Sequence, residues 1–310
     1  MNITYITDAI CKVQRAITCP PEYPDRLNYV EDQLISSGLL PTFNSITPPD
    51  VSYKQLARVH SDKHIQQVYA CASESRTVTL APDVSVNNAT VAAALKAGGA
   101  SIQAVNTVME YDNHMVFCNI RPPGHHACHD YAMGFCVFNN IAIATAHALA
   151  KYPINKVAII DFDVHHGNGT EDIFEGNEQV LYCSSFQHPF YPYTDIDNYA
   201  DNIVKMPLLE GSTGAMFRES YKTICFPKLE DFKPDLILIS AGFDAHILDP
   251  LGGLLLTEND YSWISNAIGE YAQRYCHGRV ISLLEGGYHP IALGKSVVAH
   301  IEAFKACPAT

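Results

Sequence analysis

The feature that most constrains this chain is a series of short, continuous apolar runs, each closing on a polar cluster. The runs are Ile3–Ile6, Met115–Cys118, Val157–Ile160, Val180–Cys183, Ile203–Met206, Leu236–Ser240 and Val280–Leu284. Apolar runs without alternation suit strands covered on both faces. Longer stretches of helical character lie between or beside them: Asp25–Ser37, Asn88–Glu110, Asn139–Ala150, Ala215–Leu229, Thr257–Tyr275 and Pro290–Ala306. This alternation predicts an α/β fold with a mainly parallel sheet. In such sheets ligands sit at the carboxyl ends of the strands, where these polar clusters fall. The 310 residues match about two domains on a soft prior of ~150 residues each. The polar motifs from Arg121 to Tyr288 interleave too closely to divide, so a single domain over residues 1–310 is expected.

Composition narrows the class. The chain is 47% hydrophobic and 17% charged, against a usual charged share of roughly 25%, which excludes disorder and coiled coil. It has 33 acidic and 20 basic residues, a formal net charge of -13. Such a surface repels phosphate, so nucleic acid and anionic membranes are disfavoured as partners and cationic ones favoured. The opening MNITYITDAICK lacks a basic segment followed by an apolar one, and no apolar run approaches the ~20 residues of a membrane span. The ten cysteines never form C-x-x-C, which predicts reduced, mostly buried thiols. A cytoplasmic location is the resulting expectation.

Val157–Ile160 leads into Asp161-Phe162-Asp163-Val164-His165-His166-Gly167-Asn168-Gly169. Asp163 and His165 are two apart, so in extended backbone they point the same way, giving half of a zinc or iron site. Asp244, in Ala241-Gly242-Phe243-Asp244-Ala245-His246, follows another strand and could converge on the same ion. Three protein ligands would leave one position open, the mark of a catalytic metal. After Met115–Cys118, the segment Arg121-Pro122-Pro123-Gly124 fixes the backbone that carries His125 and His126. Paired imidazoles can divide proton transfer and charge stabilisation, with Asp161 and Asn168 as candidate orienting partners. The last strand runs into Glu285-Gly286-Gly287-Tyr288, whose phenol could donate to a developing oxyanion.

These segments, in this order, resemble the zinc-dependent histone deacetylase family, close to its second class and to the acetylpolyamine amidohydrolases. The motifs are PEYPDRL (from Pro21), His60-Ser61, RPPGHH (Arg121–His126), GFCVFNN (Gly134–Asn140), DFDVHHGNGT (Asp161–Thr170), SAGFDAH (Ser240–His246), DPLGG (Asp249–Gly253) and LEGGY (Leu284–Tyr288). The resemblance implies a three-layer α/β/α domain of the arginase–deacetylase fold. It implies Zn2+ held by Asp163, His165 and Asp244, and His126 as general base and then acid. It further implies His125 as an electrostatic partner paired with Asp161, and Tyr288 as the group polarising the acyl carbonyl. Gly134, Phe135 and Tyr191 would line an acyl-lysine tunnel, and Asp83 would match a rim acid that holds substrate backbone. Asp161, Ser184 and the carbonyls of Asp163 and His165 resemble a monovalent-cation site, usually K+.

Asn168 and Glu285 both match the second class. Leu251 stands where polyamine deacetylases carry an acidic gatekeeper, which favours acyl-lysine in proteins or peptides over acetylpolyamine. Departures from the family pattern are Pro20-Pro21 in place of a histidine motif, His64 for a tyrosine, Phe186 for a histidine, and Tyr193-Thr194-Asp195 for Gly-Thr-Gly. They are expected in loops around the tunnel mouth, where they bear on substrate choice. The competing readings are an acetylpolyamine or other small-molecule amidohydrolase, a two-manganese ureohydrolase, and an inactive acyl-lysine reader. His246 stands where the ureohydrolase would need a second Asp, and a complete acid–base set argues against the reader.

Overall fold

A computed structural model of the chain describes residues 1–13, 22–73 and 76–308. The departure at Pro20-Pro21 and one cysteine, Cys19, lie outside them.

Among the described residues there are ten strands: β1 (Asn2–Ile6), β2 (Asn44–Ile46), β3 (Val78–Ala81), β4 (Val84–Val86), β5 (His114–Cys118), β6 (Val157–Asp161), β7 (Val180–Gln187), β8 (Ile203–Leu208), β9 (Leu236–Ala241) and β10 (Arg279–Leu284). Eight form one sheet in the order β2-β1-β5-β10-β9-β6-β7-β8, and β3 and β4 form a separate hairpin. Every pairing in the large sheet is parallel. All seven runs expected from the sequence are strands. The three strands that were not expected are of three or four residues, too short to show a pattern.

Strand alternation explains why the runs are continuously apolar. Ala158 and Ile160 of β6 enter one core, with Ile237 and Ile239 of β9 and Phe117 of β5. Val157 and Ile159 enter the other, with Leu236, Leu238 and Val116. Each face is roofed by helices, so neither set of side chains meets water. Helices Asp25–Ser36, Glu258–Tyr275 and Pro290–Ala306 cover the first face, through residues such as Leu27, Ile264 and Val297. Helices Asp62–Cys71, Asn88–Val108 and Asn140–Lys151 cover the second. The layers are therefore α/β/α around a single eight-stranded parallel sheet. Local chemistry sets the helix starts: Asn87 and Thr90 cap each other reciprocally, as do Thr257 and Asp260, and Asn139 accepts the Ala142 N–H at 3.0 Å.

The expected helix Ala215–Leu229 runs from Gly214 to Phe232 and is widened by one π turn at Tyr221–Cys225. That turn is where the Tyr221 hydroxyl reaches Ser185 Oγ (3.0 Å) and the Asp161 carbonyl (3.3 Å). Among the described residues no helix is long and apolar enough to cross a membrane. The nine described cysteines are unbridged and buried.

Candidate active site

Four strands adjacent in the sheet, β5, β10, β9 and β6, deliver the four polar motifs to one edge. Their neighbouring registers bring motifs more than a hundred residues apart in sequence into contact. Asp161 at the end of β6 pairs with Ser240 of β9 on one side and Ser184 of β7 on the other.

Asp163, His165 and Asp244 are buried and offer one donor atom each within 4.8 Å of one another. His165 Nδ1 lies 3.0 Å from Asp163 Oδ1 and 3.2 Å from Asp244 Oδ2. The backbone preorganises both carboxylates. Asp163 accepts the N–H groups of His165 (2.9 Å) and Gly286 (2.8 Å), and Asp244 Oδ1 accepts that of Val164 (2.8 Å). Asp244 Oδ2 is buried with no hydrogen-bond partner, the His165 contact being outside hydrogen-bond geometry. A buried, unsatisfied carboxylate oxygen beside a second carboxylate is costly unless a cation sits between them. Burial and then the neighbouring Asp163 charge push the Asp244 carboxyl up to about 7. Gly286 closes this cradle. A Cβ there would lie 2.0 Å from Asp244 Oδ2 and 2.6 Å from Asp163 Oδ2. One imidazole and two carboxylates with an open side fit a zinc ion.

The two histidines from the loop after β5 have different surroundings. His125 Nδ1 donates to Asp161 Oδ2 (3.0 Å), which also accepts from the Tyr182 hydroxyl (2.8 Å). Burial alone would lower the His125 pKa, but Asp161, Asp163 and Glu285 outweigh it and raise it to about 10. His126 Nδ1 lies 2.8 Å from Asn168 Oδ1. Burial, with the nearby His125 and His165 charges, holds its pKa well below the usual value. Their surroundings therefore push the two imidazoles in opposite directions, His125 up and His126 down. Glu285 ties this loop to β10, its Oε2 accepting from Gly124 N (2.6 Å) and His125 N (3.2 Å).

A cavity of about 250 Å³ opens over this cluster. His125, His126, His165 and Tyr288 line it, as do five residues expected at the tunnel: Asp83, Gly134, Phe135, Tyr191 and Leu251. The Tyr191 ring stands edge-on to His126 at 5.3 Å, and Phe135 edge-on to Tyr288 at 6.2 Å. Asp83 Oδ2, at the turn of the β3–β4 hairpin, accepts from the Tyr191 hydroxyl (2.8 Å) and Gly134 N (3.0 Å), joining the two walls. Sequence reasoning missed three lining residues, Pro123, Phe190 and Gly286. Phe190 stacks on the His165 ring with centroids 5.4 Å apart, and its only sequence signal was adjacency to Tyr191. Asp161, Asp163, Asn168, Asp244 and Ser184 are not among the residues that line it. Ser184 Oγ is 3.0 Å from His166 Nδ1.

Two expected mouth residues lie elsewhere. His64 is buried in helix Asp62–Cys71, where Nε2 reaches the Val137 carbonyl (2.9 Å). Phe186 is inside β7, with its ring 4.6 Å from that of His166. Both fill the core in place of the polar residue the pattern expects, so neither shapes the cavity. His246 does not join the carboxylate cluster. Its Nδ1 accepts from Leu248 N (3.1 Å) and its Nε2 faces Glu258 at 3.5 Å.

Parallel strands thus end in a buried Asp–His–Asp cluster that could hold a metal ion, beside two histidine dyads and a phenol. Comparison with known proteins agrees: the Histone deacetylase domain model matches residues 20–304. The chain is 35% identical to Histone deacetylase 18 of Arabidopsis thaliana, over 91% of this chain and 44% of that protein. It is 32% identical to Polyamine deacetylase HDAC10 of Mus musculus, over 94% of this chain and 46% of that protein. It thus spans less than half the length of both relatives. The crystal structure of the HDA15 HD domain superposes with a TM-score of 0.92 at 30% identity, covering 100% of this chain and 89% of that one. The chain belongs to the histone deacetylase domain family.

Proposed function

We propose that this protein hydrolyses N-acyl-lysine amides in proteins or peptides, releasing lysine and the carboxylate. The observation that carries this reading is that the cavity is shared. The same 250 Å³ space touches His165 of the Asp–His–Asp cluster, both histidines and Tyr288. Asp163, His165 and Asp244 would hold zinc. When bound, the ion supplies Lewis-acid chemistry, polarising a carbonyl and lowering the pKa of water.

The remaining steps belong to side chains. The acyl-lysine stem enters between Phe135 and Tyr191, whose faces exclude water from an apolar methylene chain. His126 donates its Nδ1–H to Asn168, which leaves the Nε2 lone pair facing the cavity to take a proton from the attacking water. Tyr288, kept protonated by burial and by the Asp244 and Asp163 charges despite the nearby Arg26, donates to the developing oxyanion. His126 then returns the proton to the departing amine. His125, pinned to Asp161, supplies fixed positive charge beside it. A K+ ion beside Asp161 and Ser184, adjacent in register, is part of the same proposal.

Leu251 supports acyl-lysine over acetylpolyamine, because an apolar side chain at the cavity lip cannot pair with a second ammonium. The net charge of -13 suits a lysine-bearing substrate. The test is a panel of acyl-lysine peptides and acetylspermidine with zinc-loaded protein. Turnover of peptides in preference to acetylspermidine supports the reading, and the reverse preference makes the chain a polyamine deacetylase.

A further inference from the structure

The segment Asp249-Pro250-Leu251-Gly252-Gly253 has no role in the reaction above except through Leu251. Asp249 is 6% exposed and gathers three backbone N–H groups. Leu251 N donates to Oδ1 (3.0 Å), while Tyr288 N (2.6 Å) and His289 N (3.2 Å) donate to Oδ2. Hydrogen bonds to a carboxylate are roughly twice as strong as neutral ones. Two of these three come from the loop that carries the phenol, and the third comes from the cavity lip. Arg26 also fastens the phenol loop. Its Nε and Nη2 donate to the carbonyls of Gly287 and Glu285, both at 2.6 Å, and its guanidinium lies 4.7 Å from the centroid of the Tyr288 ring. Arg26 therefore takes the carbonyls of Glu285 and Gly287 and Asp249 the amides of Tyr288 and His289, while the Gly286 amide goes to Asp163 and its carbonyl to Phe243 N.

Resting on the reading of Tyr288 as oxyanion donor, we propose that Asp249 is a positioning residue that couples the phenol to the lip. One oxygen sets where the Tyr288 backbone stands, and the other sets Leu251, so displacement of the lip is passed to the phenol. The bland alternative is a loop cap that only adds stability. The two separate because an orienting role acts through the Tyr288 hydroxyl, and a cap does not.

The experiment compares Asp249→Ala and Asp249→Asn in zinc-loaded protein, each with and without Tyr288→Phe. Misplacement by about 1 Å can cost ~100-fold in rate, so Asp249→Ala should lower kcat on an acetyl-lysine peptide by at least ~10-fold. In the Tyr288→Phe background the same change should alter kcat by less than about 2-fold, the non-additivity of coupled residues. An equal loss in both backgrounds overturns the proposal. In Asp249→Asn the amide oxygen keeps two bonds by facing Tyr288 and His289, and the NH2 group then faces Leu251 N. Its KM should rise with kcat held, and a fall in kcat with KM unchanged contradicts the proposal even if the alanine variant does not fold. Amide hydrogen exchange gives a readout without turnover. In Asp249→Ala, exchange at Tyr288, His289 and Leu251 should quicken together, whereas in Asp249→Asn only Leu251 should quicken. Unchanged exchange at Tyr288 in the alanine variant overturns the proposal. A native chain inactive on both acyl-lysine peptides and acetylspermidine would instead sink the proposed function, and the exchange data would still decide the role of Asp249.

Discussion

Asn168 Oδ1 lies 2.8 Å from His126 Nδ1, whereas His125 Nδ1 faces the carboxylate of Asp161 at 3.0 Å. Adjacent histidines on one loop thus meet a neutral partner and an anionic one. An amide orients His126 without stabilising its cation as a carboxylate would, so the imidazole stays available to accept a proton. Changing Asn168→Asp should raise the lower pKa of the kcat/KM profile, because the anion stabilises protonated His126. A pH–rate profile that does not move would contradict this division of roles.

Tyr288→Phe removes the cavity's phenolic donor while keeping the ring against Phe135 and Arg26. Turnover of an acetyl-lysine peptide should fall by on the order of 100-fold, with little change in melting temperature. Near-native kcat would remove Tyr288 from the mechanism.

Gly134 tests the fit of wall to base. It adopts φ +57°, and a Cβ there would lie 2.2 Å from His126 Cδ2. Gly134→Ala therefore combines a left-handed backbone penalty of roughly 1–2 kcal/mol with a clash on His126, the proposed general base. Activity should drop far more than the folded fraction. Loss of both in parallel would make Gly134 a packing residue only.

Leu251→Glu places a carboxylate at the lip. The ratio of kcat/KM for acetylspermidine over acetyl-lysine peptide should rise by roughly 10-fold, about 1.4 kcal/mol of added attraction for a second ammonium. An unchanged ratio would show that Leu251 does not set the preference.

His300 offers a pH test away from the site. It is buried between Ser265 Oγ (2.6 Å) and Ser282 Oγ (2.9 Å), and burial lowers its pKa to about 3. The unfolded chain binds a proton on this ring below about 6.5, whereas the folded chain does so only below about 3. Stability therefore falls as the pH drops from 6.5 towards 3, by up to about 1.4 kcal/mol per pH unit from this group. His300→Gln should flatten the loss measured by urea unfolding between pH 7 and pH 5. An unchanged slope would remove His300 as a contributor to it.

The sheet was legible in the sequence because both of its faces are covered. Val157–Ile160 and Leu236–Ser240 read as uninterrupted apolar runs for that reason, and the residues following them pointed to the cluster. The hairpin Val78–Ala81/Val84–Val86 was not legible, since its strands are too short to show a period. Nor were the buried ions. Arg121, Glu22 and Arg26 look like surface charges in sequence, yet Glu22 joins both guanidiniums in the interior. Asp249 was visible only as part of a motif, because its partners at Leu251, Tyr288 and His289 are contributed by backbone N–H groups, which leave no trace in residue identity. The burial of His64 and Phe186 was hidden too, since it comes from contacts with Val137 and His166, which lie elsewhere in sequence.

The proposed mechanism stands on Asp163, His165 and Asp244 holding one catalytic zinc ion beneath an acyl-lysine cavity. The most direct measurement is metal content together with acetyl-lysine peptide turnover, before and after chelation and zinc return, in the native chain and in Asp244→Asn. One zinc per native chain is expected, with loss of turnover on chelation, recovery with one equivalent of zinc, and a lower zinc content in the variant. Full turnover by metal-stripped protein, or two metal ions per active chain, would contradict it.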